Sequence, residues 1–199
     1  MSVWPVATAP GSDLAHLAVC RSRSRFPFTI HHLPFTILAM LLNISQFLQL
    51  LTTGLFTGIF FGDRLGVTPI RPKLPASSFI LFQQELHLTF GRLMPVLIIG
   101  SLLSGAVSLV LLRRDYKSSQ FIFTAIATLC VLAVIVMTRL VNVPVNEALM
   151  TWRVAAPPQN LMELWAPWER VHTIRTVVSM IGFVCLAFVA TTRHSNTTG

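Results

Sequence analysis

The segment WAPWERVHTIRT carries the side chains of this sequence that are best suited to chemistry. If the segment is helical, Trp168, His172 and Arg175 fall along one stripe, because residues three and four apart share a helix face. An imidazole can exchange protons near neutral pH, and a guanidinium is a fixed cation that can hold an anionic oxygen. The spacing therefore predicts an aromatic wall, a base and an anion holder on one face.

The same segment could instead anchor a helix at a membrane surface. Tryptophan and arginine are common at membrane–water interfaces, where the ring meets the headgroups and the cation reaches out of the hydrocarbon. That explanation suits Trp165 and Arg170, and we assign both to the interface. It accounts less well for a histidine and an arginine on one stripe.

A second group of polar side chains lies upstream, in VNVPVNEALMTW. Asn142 and Asn146 are four residues apart and share a face if the helix continues past Pro144. A carboxamide both donates and accepts hydrogen bonds, so the pair could hold an oxygen of a substrate. Alternatively, the two amides bond to the backbone carbonyls that Pro144 frees. We predict that both asparagines act beside His172 and Arg175.

A metal site is an alternative use of the same region. Glu169 and His172 form Glu-x-x-His, a pair that supplies ligands to di-metal carboxylate sites in helical bundles. Glu147 and Glu85 could complete the site. Such sites normally use two copies of the motif, and this sequence has one. We therefore predict that no metal is bound.

The composition is that of a membrane protein. The chain has 199 residues, of which 11% are charged, whereas a soluble domain has about 25%. Hydrophobic residues make up 53%, more than one core of this size can hide, which predicts an integral membrane protein. The net charge of +8 is spread along the flanks of apolar runs rather than gathered in a patch. We expect the lipid bilayer as a partner and exclude nucleic acid.

Four segments are long and apolar enough to cross a bilayer, at residues 35–62, 93–112, 121–141 and 171–190. They predict an all-α four-helix bundle over residues 35–190, with flexible tails at 1–34 and 191–199. A short extra helix is predicted before span two, and another in the connection between spans three and four. Basic residues near the helix ends favour cytoplasmic termini, and we expect the endoplasmic reticulum or another endomembrane.

Small residues recur at every fourth position in two spans: Gly54, Gly58 and Gly62 in the first, Gly100 and Ser104 in the second. Such spacing lets helices approach closely in lipid. It predicts close packing within the bundle, and a homodimer is the alternative use of the same faces.

The order and spacing of these motifs resemble a known family. VPVN is followed by Trp152, then by Trp168, His172 and Arg175, and TTGLFTGIFFG precedes a proline-containing connection. The pattern resembles the anthrone oxygenase-like family of small four-helix membrane proteins, over about residues 35–190. That family implies oxidation of a polyketide anthrone to a quinone with O₂ as co-substrate and without a known organic cofactor.

The resemblance implies a membrane-bound monooxygenase of secondary-metabolite biosynthesis that acts on an anthrone-type aromatic polyketide. His172 would remove the acidic methylene proton. Charge on the substrate oxygens would be stabilised by three side chains: Arg175, Asn146 and Asn142. The aromatic rings of the substrate would be bound by Trp152, Trp168 and His87.

Two alternatives remain. A non-enzymatic membrane scaffold or transporter subunit predicts a polar stripe that faces headgroups or a partner, with no closed pocket. A metal-dependent membrane oxidase, using iron or copper, predicts that Glu85 and Glu147 come together with Glu169 and His172.

Overall fold

The computed structural model describes the backbone of residues 32–195 and the side chains of residues 36–192. These residues contain no β-strand. Four helical segments are long and apolar enough to cross a membrane: Thr36–Lys73, Ala76–Asp115, Ser119–Thr151 and Leu161–Thr192. The prediction of an all-α, multi-pass membrane protein is thus confirmed. Most of the predicted N-terminal tail, and residues 196–199 of the C-terminal tail, lie outside the described residues.

The first two spans are long helices joined by a proline-rich connection. Helix α1 (His32–Gly62) passes directly into a π-helical turn at Asp63–Val67. Helix α2 (Ala76–Leu112) runs without a break through Pro95, so the helix predicted before span two is its first part. A proline is tolerated inside a membrane helix because neighbouring helices and small adjustments satisfy the freed carbonyl.

The third span changes its winding near its end. Helix α3 (Ser119–Met137) passes into a π-helical turn at Thr138–Asn142 and then into helix α4 (Val143–Thr151). Pro144 has no N–H to donate to the preceding turn, and the helix widens just before it. The span therefore continues past the proline, as the pairing of Asn142 with Asn146 requires.

The last span is a single helix, α5 (Leu161–Ser195), and Pro167 lies inside it. The short helix predicted in the connection between spans three and four is the first part of α5. The carbonyl of Asn160 already accepts hydrogen bonds from the N–H groups of Glu163 and Leu164.

The spans are joined by buried polar contacts as well as by apolar packing. Helix α3 packs against both α2 and α5. The hydroxyl oxygens of Thr53 on α1 and Ser101 on α2 lie 2.6 Å apart. Gln49 on α1 donates to the hydroxyl of Thr128 on α3 at 3.0 Å. Such bonds join helices in lipid, where apolar side chains alone give little preference for protein over acyl chains.

The small-residue faces are used unequally. A Cβ atom at Gly54 would lie 3.0 Å from a phenylalanine ring of α5, and one at Gly105 would lie 2.5 Å from a threonine hydroxyl of α3. These two glycines permit close packing within the bundle. Gly58 and Gly62 have open space where a Cβ would be. The homodimer stays a prediction.

Candidate active site

Most of the polar stripe lines a cavity of about 350 Å³ between the four spans, near the α1–α2 and α4–α5 connections. Small-molecule sites in proteins have volumes of roughly 300–1,000 Å³ and walls that are mostly apolar, with a few convergent polar groups. The walls here include Phe60 on α1, Phe90 and Met94 on α2, and Trp168 on α5. A stripe that only faced headgroups would not enclose such a space, so the cavity favours an enzyme over a scaffold.

An aromatic stack on α5 forms one wall. Trp165 stacks on Trp168 with ring centroids 4.5 Å apart, and Trp168 stacks on His172 at 4.7 Å, each pair with 22° between the ring planes. The assignment of Trp165 to the membrane interface is wrong. The residue is 3% exposed and its Nε1 donates to Glu169 at 3.1 Å, because its ring packs inward on the stack. Arg170 is exposed, as an interface residue should be.

A carboxylate that the sequence analysis did not single out lies at the centre of the site. Asp63 follows α1, with Oδ1 2.6 Å from Nη2 of Arg71 and Oδ2 2.9 Å from Nε2 of His172. Arg71 also donates to Oε1 of Glu169 at 2.8 Å, and its guanidinium carbon lies 4.9 Å from the ring centre of Trp168. Arg71 therefore satisfies two carboxylates at once and fixes the position of Asp63.

The sequence carries only a partial signal for this pair. Asp63 is the first charged residue after the long apolar run of span one, and a charge at that depth is costly unless it is paired or functional. Arg71 stands in the proline-rich connection that follows. Nothing in the spacing indicates that this connection folds back against α5.

Arg175 is a second cation of the cavity and is bound differently. Its Nε and Nη2 lie 3.2 and 3.1 Å from Nδ1 of His172, and Nη1 donates to the hydroxyl of Thr138 at 3.3 Å. Among the described residues, no carboxylate lies within ion-pair distance of it. Arg175 is 7% exposed. A buried cation without a counter-ion is costly, so this position favours a ligand with an anionic oxygen.

The contacts of His172 fix the position of its hydrogen. A guanidinium only donates hydrogen bonds, so Nδ1 accepts from Arg175 and carries no hydrogen. In a neutral imidazole the hydrogen is then on Nε2, which faces Asp63. Oδ2 of Asp63 is close to Nε2 but does not lie along the Nε2–H bond, so the contact is not an in-line hydrogen bond. Within the part of the chain that the structure describes, neither Nε2 nor Oδ2 has an in-line hydrogen-bond partner.

Five of the predicted site residues line the cavity together: His87, Asn146, Trp168, His172 and Arg175. Asn142 is buried but does not line it, and its Nδ2 lies 3.4 Å from the backbone carbonyl of Trp168. The physical reason is the contact of this carboxamide with the backbone of α5, which holds the side chain between the helices instead of in the cavity wall.

Trp152 also lies outside the cavity lining. It ends α4, is half-buried, and packs against a core cluster that includes Phe79, Leu149 and Trp165. Its backbone carbonyl accepts a hydrogen bond from Gln84 at 3.0 Å. These contacts place Trp152 against the core cluster, and its predicted role in binding substrate rings stays a prediction.

The side chains of the alternative metal site do not come together. Glu85 and Glu147 are exposed and do not line the cavity, and Glu169 is bound to Arg71. The described residues contain no group of three or more His, Cys, Asp or Glu side chains that could hold a metal ion. The Glu-x-x-His spacing on α5 places its glutamate against Arg71 instead.

Helix α2 adds a polar atom that sequence reasoning missed. Gln83 is 3% exposed and lines the cavity one turn before His87. Its Oε1 has no hydrogen-bond partner among the described residues. The other residues of α2 in the lining have apolar side chains, so a ligand meets its polar contacts on this wall at these two positions.

Comparison with known proteins supports the resemblance noted from the sequence. A family model described as anthrone oxygenase matches residues 85–185, about half of the chain. The matched region includes His87, Asn146, His172 and Arg175, whereas Asp63 precedes it. No curated protein and no solved structure matches the chain.

Proposed function

Because this chain belongs to the anthrone oxygenase family, we propose that it is a membrane enzyme that oxidises an anthrone-type aromatic polyketide to a quinone with O₂. The observation that carries the proposal is Arg175, a buried cation in the cavity wall with no carboxylate partner among the described residues. An anthrone that loses a methylene proton becomes an anion whose charge moves to the ketone oxygen. A guanidinium fixed in an enclosed site stabilises that charge as it forms.

The reaction balances with O₂ as the oxidant. Loss of one methylene proton gives a delocalised carbanion, which passes one electron to O₂. The two radicals combine to form a carbon–oxygen bond, and the peroxide anion is protonated. Loss of the second methylene proton with cleavage of the oxygen–oxygen bond gives the new carbonyl and one water. All four electrons come from the substrate, so this scheme uses O₂ as a co-substrate and no cofactor.

The cavity supplies the groups that these steps need. The proton goes to the Asp63–His172 pair, whose nearest atoms are 2.9 Å apart. Arg175 and Asn146, which both line the cavity, hold the charged oxygen. Trp168 lines the cavity together with the rings of Phe60 and Phe90, so a flat aromatic substrate would lie among aromatic side chains.

The setting in the membrane suits an apolar substrate, which would enter from the lipid. We place the protein in the endoplasmic reticulum or another endomembrane with cytoplasmic termini, since basic residues near the helix ends favour that orientation. The cavity lies near the α1–α2 and α4–α5 connections, at the end opposite to the α2–α3 connection. It would then open toward the lumenal side.

Turnover of anthrone by membranes that carry the protein tests the proposal. We expect O₂-dependent quinone formation above that of membranes without the protein, and a loss of about 100-fold in Arg175→Met. Arg170→Met, an exposed arginine on the same helix, is the matched control and should keep wild-type activity. Quinone formation no faster than in empty membranes would overturn the proposal. Stoichiometric iron or copper, with activity lost on chelation, would favour the metal-dependent form.

A further inference from the structure

His172 has no nitrogen free to accept a proton from a ligand. Its Nδ1 accepts from Arg175, whose Nε and Nη2 lie 3.2 and 3.1 Å away. Its Nε2 carries the hydrogen of the neutral ring, because Nδ1 is occupied by a donor. A second proton on His172 would have to occupy Nδ1 and would place two cations in direct contact, which disfavours that charged form.

The two carboxylate oxygens of Asp63 differ in their hydrogen bonds. Oδ1 accepts from Arg71 at 2.6 Å, and Arg71 is itself 2% exposed and held by Glu169. Oδ2 is buried, belongs to a cavity-lining residue and has no in-line hydrogen-bond partner among the described residues. A carboxylate that is anchored through one oxygen, while the other makes no in-line hydrogen bond at the edge of a cavity, is arranged as a general base.

We infer that Oδ2 of Asp63 is the atom that removes the methylene proton, an inference that rests on the proposed function. In this step the carbon–hydrogen bond breaks and the proton bonds to Oδ2. The electron pair stays in the aromatic system, and its charge faces Arg175. The same proton is returned when the peroxide anion forms. His172 is a positioning residue: its Nε2 lies 2.9 Å from Oδ2, and its ring limits where the carboxylate can move.

Exchange of the anthrone methylene hydrogens with deuterium under anaerobic conditions measures proton removal alone. Purified protein in detergent is incubated with anthrone in D₂O without O₂, and loss of the methylene signal is followed by NMR. We expect wild type to accelerate the exchange and Asp63→Asn to lose about 100-fold of that rate. His172→Gln should stay within about tenfold of wild type, because His172 does not itself take the proton and glutamine still places a polar group beside Asp63.

Two further variants separate chemistry from folding. Asp115→Asn makes the same substitution in an exposed turn after α2 and should keep the wild-type exchange rate. Asp63→Glu keeps a carboxylate but moves it by one methylene group, so we expect a loss of at least about tenfold without complete loss. If Asp63→Asn does not fold, as judged by thermal unfolding, Asp63→Glu decides, and an unchanged rate in that variant overturns the inference.

The outcomes distinguish the inference from the proposed function. Exchange that survives Asp63→Asn and disappears in His172→Gln assigns the proton to His172 and leaves the oxygenase intact. Quinone formation by wild type without any acceleration of exchange also overturns the inference alone. If anthrone is neither exchanged nor oxidised, the proposed function fails and the inference fails with it.

Discussion

Arg71 and Arg175 show how the surroundings of a residue decide its role. Arg71 bonds to the carboxylates of Asp63 and Glu169 at 2.6 and 2.8 Å. Arg175 is also buried, but its contacts among the described residues are with neutral groups. A cation that forms two ion pairs stabilises the fold. A cation without a counter-ion can instead stabilise negative charge that develops on a substrate during a reaction.

The two arginines should therefore differ in their effect on stability. Arg71→Met leaves two carboxylates without their partner and should lower the free energy of unfolding by about 3 kcal/mol. Arg175→Met removes a buried charge that has no counter-ion, so stability should be kept or raised while activity is lost. Thermal unfolding of both variants in detergent measures the difference, and a lower melting temperature for Arg175→Met than for Arg71→Met would contradict it.

Gln83 should recognise a hydroxyl group on the substrate, because its buried Oε1 can accept a hydrogen bond and has no partner among the described residues. We expect at least one monohydroxy anthrone to bind about tenfold more tightly than anthrone itself. Quenching of tryptophan fluorescence without O₂ measures this affinity, since Trp165 and Trp168 line the cavity.

The preference should disappear in Gln83→Met, which keeps the size of the side chain and removes the acceptor. Gln120→Met is the matched control, since Gln120 lies at the start of α3 and bonds to Gln46 away from the cavity. If Gln83→Met still binds the hydroxylated anthrone more tightly, or if wild type shows no such preference, Gln83 does not bind the hydroxyl group of the substrate.

The residues that sequence could identify are those whose neighbours are close along the chain. Trp168, His172 and Arg175 share α5, and the spacing on one helix is fixed by its geometry. The roles of Asp63 and Arg71 depend on contacts with α5, and Arg71 meets Glu169 across 98 positions of sequence. The hydrophobic period of a helix does not indicate which residues so far apart in sequence will meet. The position of Asp63 beside His172 could therefore be found only from the structure.

At the scale of the helices, two π-helical turns shape the site. One, at Asp63–Val67, begins with the carboxylate that faces His172. The other, at Thr138–Asn142, begins with the hydroxyl that accepts from Arg175 and ends at Asn142, which is buried outside the cavity lining. Such turns are frequent at functional sites because they alter which side chains share a face. A hydrophobic period of 3.6 residues locates the helices in the sequence but does not indicate these changes of winding.

The close approach of α1, α2 and α3 should depend on Gly105. A Cβ there would lie 2.5 Å from Oγ1 of Thr128 and 2.6 Å from Nε2 of Gln49, which are hydrogen-bonded to each other. We expect Gly105→Ala to break the hydrogen bond between Gln49 and Thr128 and to lower the free energy of unfolding by about 1–3 kcal/mol.

The control for this prediction is Gly58→Ala, because Gly58 has open space around a Cβ. That change should be neutral or stabilising by up to about 1 kcal/mol, since alanine is the better helix former. Thermal unfolding of both variants gives the comparison, and equal effects of the two substitutions would show that Gly105 is not a packing constraint.

At the scale of the whole molecule, the described bundle is apolar outside and partly polar within. Leu38 and Phe47 are half or more exposed, whereas Gln49 and Thr53 on the same helix are fully buried. This distribution suits lipid, where outward apolar side chains meet acyl chains and inward polar groups join the helices. Length and hydropathy therefore sufficed to predict four spans. The helix faces that pack together are decided by side-chain contacts between segments far apart in sequence. Composition does not indicate those contacts.

The orientation of the bundle can be tested by protection from protease. With cytoplasmic termini, tags fused to either end should be digested in intact microsomes. A tag inserted in the α4–α5 connection, at residues 153–160, should be protected until detergent is added. Protected terminal tags with a digested connection would reverse the orientation and place the cavity on the cytoplasmic side.

The most direct test of the proposed reaction follows the two oxygen atoms of O₂. Purified protein and anthrone are incubated under ¹⁸O₂ in ordinary water, and the quinone is analysed by mass spectrometry, with Arg175→Met measured in parallel. The proposed reaction gives one ¹⁸O atom in each quinone, at an initial rate about 100-fold above that of Arg175→Met. A wild-type rate equal to that of the protein-free reaction, or a new carbonyl oxygen derived from water, would contradict it.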